Sequence, residues 1–266
     1  MPASANAAAR LAALGLALGS AGCANSCVER DGRPALVVAR ESAAPVRGTS
    51  SARERVTEHG ETFEVSRVSF ALEAVRVDVV DLGRSRDIGA ALARAQGAPL
   101  LAVNGGFFGE RGEPLGLVVS SGRRLSPFSR SMSGGVLTID GDRAALSETE
   151  AFDPTSPHAF AIQCRPRLVV GGAVNIRADD GKRAERTALC LREGGAVLDV
   201  VIARTVDGGP SLLAIAQHLA STGCEDALNL DGGPSTGIAW RDDSGIHAED
   251  PRGAIRHAIV VRRRER

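Results

Sequence analysis

The chain has 266 residues, 43% hydrophobic and 24% charged, an ordinary globular composition with room for one sizeable core or two small ones. Lysine plus arginine and aspartate plus glutamate number 32 each, so no global field draws the protein to nucleic acid or repels acidic substrates. Recognition must rest on local charge, and the terminal RRRER run reads as a solvated tail.

At the N-terminus, Arg10 precedes a Leu/Ala/Gly run over residues 11–19, too short to span a bilayer and long enough for the apolar region of a signal peptide. The run leads into SAGC at residues 20–23, which resembles a bacterial lipoprotein processing site with Cys23 as the acylated first residue. Ser20 stands where such sites usually carry leucine, and plain secretory cleavage nearby is the alternative. The expected organisation is a signal peptide over residues 1–22, a tether and irregular entry segment over 23–66, and a folded domain over 67–266. The protein is then exported, and held at the cell envelope by a lipid anchor or else secreted. Cys27, Cys164, Cys190 and Cys224 would meet a compartment where disulfides persist. Their three pairings stay open, with at least one structural disulfide expected among Cys164, Cys190 and Cys224. No CxxC occurs, which argues against zinc and thioredoxin-like chemistry.

Beyond residue 66 the chain reads mostly as strands. The VRVDVV run at 75–80 alternates apolar and charged residues as a half-buried strand does. Asp140-Gly141 lies between two apolar runs, a hairpin signal because the tight turn needs positive φ. Further strands are expected at 159–163, 167–171, 187–192, 196–203 and 255–262. Helices are few: one at 87–96, with Ile88, Ala91, Leu92 and Ala95 on one face, and one at 210–222, with Pro210 in its first turn and Gly223 at its end. Each leads through a short glycine-containing connection into a buried strand that ends in Asn104-Gly105-Gly106 or Asp231-Gly232-Gly233. The fold class predicted is α+β, a largely antiparallel or mixed β-sheet with a few packed helices and an internal pseudo-repeat.

Glycine tolerates positive φ and carries no Cβ, so a Gly-Gly pair turns a chain sharply while leaving its N–H groups open to a ligand. Two such corners facing one cleft would set Asn104 and Asp231 opposite each other. Each alone is equally well a tight turn after a core strand; their recurrence favours a site.

Gly233-Pro234-Ser235-Thr236-Gly237 also matches GxSxG, the nucleophile elbow of serine hydrolases. The segment after Gly237 lacks the apolar helical spacing an elbow requires, and a triad would have to recruit Asp242, Asp243 or Asp250 with His247 or His257. Too few βαβ units are present for the usual fold. There is no GxGxxG, Walker loop, HExxH or calcium-loop acid ladder, and the histidines are scattered, so neither a metal nor another cofactor is expected.

Taken in order, NGGFF at 104–108, PLG at 114–116, RTA at 186–188, the helix at 210–222 and NLDGGPST at 229–236 resemble the phosphodiester glycosidase family over about residues 95–262. This chain has Pro234 and Ser235 where members usually carry a third glycine and a serine, and QCRP at 163–166 where they tend to have QAGP. Arg165 in place of that glycine would narrow the pocket or add a cation. The resemblance implies hydrolysis of the glycosidic bond of a sugar-1-phosphodiester, releasing sugar and a phosphate monoester, on a glycan or an envelope exopolysaccharide.

Roles for single residues come from that chemistry. Arg186 is the expected phosphate partner, because a guanidinium matches phosphate oxygens with paired donors. Asp231 is the candidate carboxylate near the anomeric carbon, with Asn104 opposite it. Gly105, Gly106, Gly232 and Gly233 would offer main-chain N–H donors, and Ser235 and Thr236 further polar contacts. Gln163 is either a cleft amide or a β-edge residue. Trp240, Phe107 and Phe108 are the short list for a sugar platform, since the chain has one Trp and no Tyr. A second carboxylate would come from Glu110, Glu113 or Asp207. A surface lipoprotein that binds polysaccharide through the same cleft without cleaving it is the alternative, and a serine hydrolase using Ser235 is the weaker one.

Overall fold

The computed structural model describes residues 49–205, 208–242 and 244–265. The leader, Cys23, Cys27, the first part of the tether, Asp207 and Asp243 therefore lie outside the described residues. The strands run β1 (Thr49–Glu58), β2 (Glu61–Ala71), β3 (Val75–Ser85), β4 (Pro99–Asn104), β5 (Val118–Ser120) and β6 (Arg123–Ser126). They continue with β7 (Gly135–Asp140), β8 (Arg143–Glu148), β9 (Phe160–Cys164), β10 (Arg167–Val170), β11 (Ala173–Val174) and β12 (Arg186–Arg192). The last are β13 (Val197–Arg204), β14 (Asp226–Asn229), β15 (Ile238–Asp242), β16 (Gly245–Glu249) and β17 (Ile255–Arg263). Two α-helices, α1 (Gly89–Arg94) and α2 (Leu212–Ser221), join them.

These strands form a seven-stranded sheet, β1-β2-β13-β12-β14-β10-β11, and two five-stranded sheets, β16-β15-β4-β17-β3 and β6-β5-β9-β7-β8. Every ladder among the described residues is antiparallel, so the mixed-sheet option falls away. The two helix-strand-corner segments feed different sheets, β4 in the middle of one and β14 in the interior of another.

Period-2 alternation explains how three sheets share one interior. Leu189 and Leu191 of β12, Leu101 and Val103 of β4, Ile259 and Val261 of β17, and Phe160 and Ile162 of β9 all point into a common core. Their neighbours turn the other way. Ala188 and Cys190 meet α2 through Ala214, Ile215 and Leu219, while Ala102, Ala258 and Val260 meet α1 through Ala91 and Leu92. Small residues face the helices, which lets each helix lie close to its sheet.

The turn expected at Asp140-Gly141 closes β7 onto β8, with Asp140 opposite Arg143 and Gly141 at φ +64°. α2 starts at Leu212, two residues later than Pro210 suggested: Ser211 is the N-cap, its side chain accepting from the Ala214 N–H at 3.1 Å, the capping geometry a hydroxyl supplies. Gly223, at φ +86°, comes just after its end.

The entry segment departs from expectation. Residues 49–66 are not irregular; with residues 67–71 they form a fully registered hairpin whose second strand pairs with β13 over Glu64–Ala71. The sequence TSSARERVTE hides this, because an outer strand needs little apolar surface, and only Val56 of β1 is buried.

One disulfide joins Cys190 to Cys224, and Cys164 is a buried free thiol. The bridge closes a loop with a sequence separation of 34, for which chain-entropy reasoning gives about 3–4 kcal/mol of stabilisation. Replacing both Cys190 and Cys224 with Ala should lower the urea-unfolding free energy by about that amount, and non-reducing peptide mapping should find the 190–224 link. A mapped link through Cys164 would contradict the structure.

Candidate active site

The cleft forms where β12, β14 and β10, three neighbours in the seven-stranded sheet, end or begin at the same edge. Ala188 of β12 pairs with Asn229 of β14, and Arg167 of β10 pairs with Leu228. The register runs on past the strand, since the Leu230 N–H donates to the Thr187 carbonyl at 2.8 Å and the Asn229 N–H to the Pro166 carbonyl at 3.0 Å. Asp231 thus emerges on the middle strand, with Arg186 level with it on one side and Arg165 close to level on the other. The cleft is about 820 Å³ and is lined by these three residues with Phe107, Glu148, Arg167, Lys182, Gly232 and Gly233 among others.

The two glycine corners do meet, but as a joint rather than as opposite walls. Asn104 is fully buried. Its Nδ2 donates to the Asp231 carbonyl at 2.8 Å and the Gly105 carbonyl at 3.3 Å. Its Oδ1 accepts from Thr187 Oγ1 at 2.8 Å and the Gly237 N–H at 3.3 Å. With its amide engaged on both ends, Asn104 positions the Asp231 backbone and does not itself line the cleft.

The four glycine N–H groups are likewise engaged. Gly105 donates to the His257 carbonyl at 3.0 Å and Gly106 to His257 Nε2 at 3.2 Å. Gly232 donates to Asp231 Oδ1 at 2.9 Å and Gly233 to the Glu185 carbonyl at 2.7 Å. The glycines serve close approach instead of ligand capture: a Cβ on Gly105 would stand 2.3 Å from the His257 ring, and one on Gly232 would stand 2.6 Å from the Glu185 carbonyl oxygen. His257 accepts at Nε2, so its own proton sits on Nδ1, and burial pushes its pKa down to about 4.

Electrostatics single out the pair at the centre. Burial raises the Asp231 pKa, opposed by hydrogen bonds from Ser235 and from the Gly232 N–H. Burial also lowers the Arg186 pKa. Arg186 is held through carbonyls, Nε to Pro210 at 3.0 Å and Nη2 to Lys182 at 3.2 Å, and makes no ion pair among the described residues. A partly desolvated carboxylate and a partly desolvated guanidinium that line one cleft, neither in an ion pair among the described residues, form an arrangement that folding alone does not favour.

Of the residues expected at the site, Phe107, Arg186, Asp231, Gly232 and Gly233 line this cleft. Ser235 reaches it only through its bond to Asp231. Thr236 is buried and bonded by Thr187. Gln163 is neither a cleft amide nor an edge residue: it sits on β9, in the middle of its sheet. Its amide ties down the 129–132 loop, Nε2 donating to the Ser129 carbonyl at 2.7 Å and Oε1 accepting from the Ser129 N–H at 3.0 Å. Trp240 stacks on His247 with ring centroids 5.3 Å apart and does not line the cleft. Phe108 bridges to Pro114. Glu110 and Glu113 are exposed away from the lining.

The serine-hydrolase alternative fails on local geometry. Residues 233–235 form a single 3₁₀ turn that leads into β15, not the α-helix of an elbow. His257 Nε2 is engaged by Gly106, while His247 Nε2 contacts Asp242 and Ser244 on an exposed hairpin. Among the described residues, no group of three or more His, Cys, Asp or Glu gathers that would hold a metal ion. Glu148, Glu150, Arg167 and Lys182 also line the cleft, and no motif in the sequence announces them, since they are brought there by the sheet edges.

The phosphodiester glycosidase family model matches residues 98–262. Bovine N-acetylglucosamine-1-phosphodiester alpha-N-acetylglucosaminidase is 32% identical over 165 residues, 54% of this chain and 31% of that protein. The uncharacterized protein YigE of Escherichia coli K12 is 30% identical over 91 residues, 31% of this chain and 36% of its own length. The matches thus span about a third of each curated relative. Among solved structures, the zebrafish N-acetylglucosamine-1-phosphodiester alpha-N-acetylglucosaminidase catalytic domain, auto-inhibited by its pro-peptide, superposes with a TM-score of 0.64 at 18% identity, covering 87% of this chain and 88% of that one. A hypothetical protein from Synechocystis gives a TM-score of 0.59 at 16% identity, covering 82% and 62%.

Removing the Asn104 amide would strand the Thr187 hydroxyl, the Gly237 N–H and the Asp231 carbonyl inside the joint. At about 1–3 kcal/mol for each buried group left unsatisfied, Asn104→Ala should destabilise the fold by about 3 kcal/mol or more, read by chemical denaturation. An unchanged midpoint would show that the joint does not carry the corner.

Proposed function

The chain belongs to the phosphodiester glycosidase family, and from that premise we propose that it hydrolyses the glycosidic bond of a sugar-1-phosphodiester, on a glycan or envelope polymer met after export. The observation that carries the proposal is the placement of Asp231 and Arg186 level with each other at the ends of adjacent strands in one cleft, both partly desolvated and neither in an ion pair among the described residues.

A sugar-1-phosphodiester carries one negative charge, and its C1–O bond breaks through an oxocarbenium-like state. Arg186 uses two N–H donors to hold itself against carbonyls and presents the remaining donors to phosphate oxygens, where charge grows as the bond breaks. The carboxylate of Asp231 faces the anomeric carbon and either stabilises its positive charge or activates the attacking water. Water ends on C1 and the phosphate monoester leaves with the bonding pair. Because that phosphate is already a stable anion, a strong general acid is unnecessary.

Ser235 acts on Asp231 by donating a hydrogen bond that favours the charged form. Burial dominates and places the folded pKa above the ordinary carboxylate value, so activity that needs the carboxylate is present at neutral pH and is lost as pH falls through that raised value.

Asp231→Asn and Arg186→Ala should each lower kcat/KM on a sugar-1-phosphodiester by about 10² or more, with unfolding midpoints near wild type. Full activity in both variants would remove the proposed roles, and glycan binding without release of sugar would favour the non-catalytic reading. In the same assay Ser235→Ala should shift the acidic limb of the kcat/KM profile to higher pH, because it removes a group that lowers the Asp231 pKa. A shift to lower pH, or abolition of turnover at every pH, would contradict this role.

A further inference from the structure

We infer that Arg165 is a specificity residue that recognises a carboxylate on the sugar itself, so that the substrate of this cleft is the 1-phosphodiester of an acidic, uronate-type sugar. The inference rests on the glycosidase reading above and goes beyond it, because that reading leaves the sugar open.

Three observations lead to it. Arg165 lines the cleft and is exposed, yet it is held in place. Its carbonyl accepts from Asn229 Nδ2 at 2.9 Å, and Gly134 packs so tightly on this segment that a Cβ there would lie 2.3 Å from the Cys164 carbonyl oxygen and 3.0 Å from Arg165 Cα. Its guanidinium lies over the Phe107 ring, 6.0 Å from the centroid, a contact that orients a cation without neutralising it. Among the described residues it makes no ion pair. The nearby acid Glu148 is already bonded to Arg167 at 2.6 Å, and Glu150, which also lines the cleft, makes no ion pair with Arg165, so Arg165 keeps an unpaired cation on this wall.

The order of residues across the sheet edge then fixes where the second charge belongs. Arg186, Asp231 and Arg165 come from three consecutive strands, β12, β14 and the lead into β10. With the phosphate on Arg186 and the anomeric carbon against Asp231, the sugar extends towards Arg165 and the aglycone away from it. The two outer backbones are two strand spacings apart, about 10 Å. A pyranose uronate carries its carboxylate across the ring oxygen from C1, which puts the two anions at opposite ends of that span. A guanidinium is suited to it, because its planar fork binds a carboxylate by two parallel bonds.

The test compares methyl phosphodiesters of glucuronic acid 1-phosphate and glucose 1-phosphate with wild type, Arg165→Ala and Arg165→Lys, alongside calorimetric binding of the two free sugar 1-phosphates. Wild type should favour the uronate in kcat/KM by about 10- to 100-fold, the worth of one charged hydrogen-bonded contact. Arg165→Ala should abolish that preference while leaving the glucose rate within a few-fold of wild type, and Arg165→Lys should restore only part of it. No preference in wild type, or an equal loss on both substrates in Arg165→Ala, overturns the inference while the glycosidase reading stands. Absence of cleavage with an Arg165-dependent preference for glucuronic acid 1-phosphate in binding refutes the glycosidase reading and supports the recognition. Absence of both cleavage and preference refutes both.

Discussion

The structure depends on one buried amide. Asn104 ends β4 in one sheet, and its side chain bonds Thr187 and Asp231 of the seven-stranded sheet and Gly237 at the entry to β15. Two sheets that also meet through apolar contact and through the Arg53–Glu249 and Arg204–Glu249 ion pairs are therefore fixed to each other at the point where the cleft opens. Dispersion and burial tolerate small slides; four directed hydrogen bonds on one planar group do not. The Asp231 carbonyl is gripped from behind, so its carboxylate faces the cleft.

The same joint explains the electrostatics. A carboxylate and a guanidinium each lose hydration at the edge of a large core, and burial shifts both pKa values towards the neutral form. The fold tolerates this because backbone carbonyls bind Arg186, and Ser235 with the Gly232 N–H binds Asp231. Under the proposed reaction, a phosphate and a developing positive charge on C1 would interact more strongly with the two groups than in water. Desolvation that is unfavourable in the empty protein would, in that proposed reaction, become differential binding.

Much of this was legible from the residues. Alternation exposed the interior strands, Gly141 marked its hairpin, and the NGG and DGG corners marked the place where two sheets touch. What the letters concealed were directions and partners. Asparagine at a corner reads equally as a catalytic amide or a structural one, and only its four bonds decide. A glycine pair reads equally as an anion nest or a site of close approach, and the carbonyl oxygen 2.6 Å from a Cβ placed on Gly232 decides for the second. Trp240 looked like a sugar platform because it is the one tryptophan, but β15 carries it to His247 instead. The hairpin over residues 49–71 was concealed because an outer strand rich in Arg, Glu and Ser lacks the apolar alternation that marks a half-buried one.

The most direct measurement is a crystal structure of the Asp231→Asn variant with a non-hydrolysable sugar-1-phosphonate monoester bound. The account predicts the phosphonate on the Arg186 guanidinium and the anomeric carbon facing residue 231, within the cleft between Phe107 and Gly233. A ligand bound elsewhere, or in this cleft with its anion away from Arg186, would contradict it.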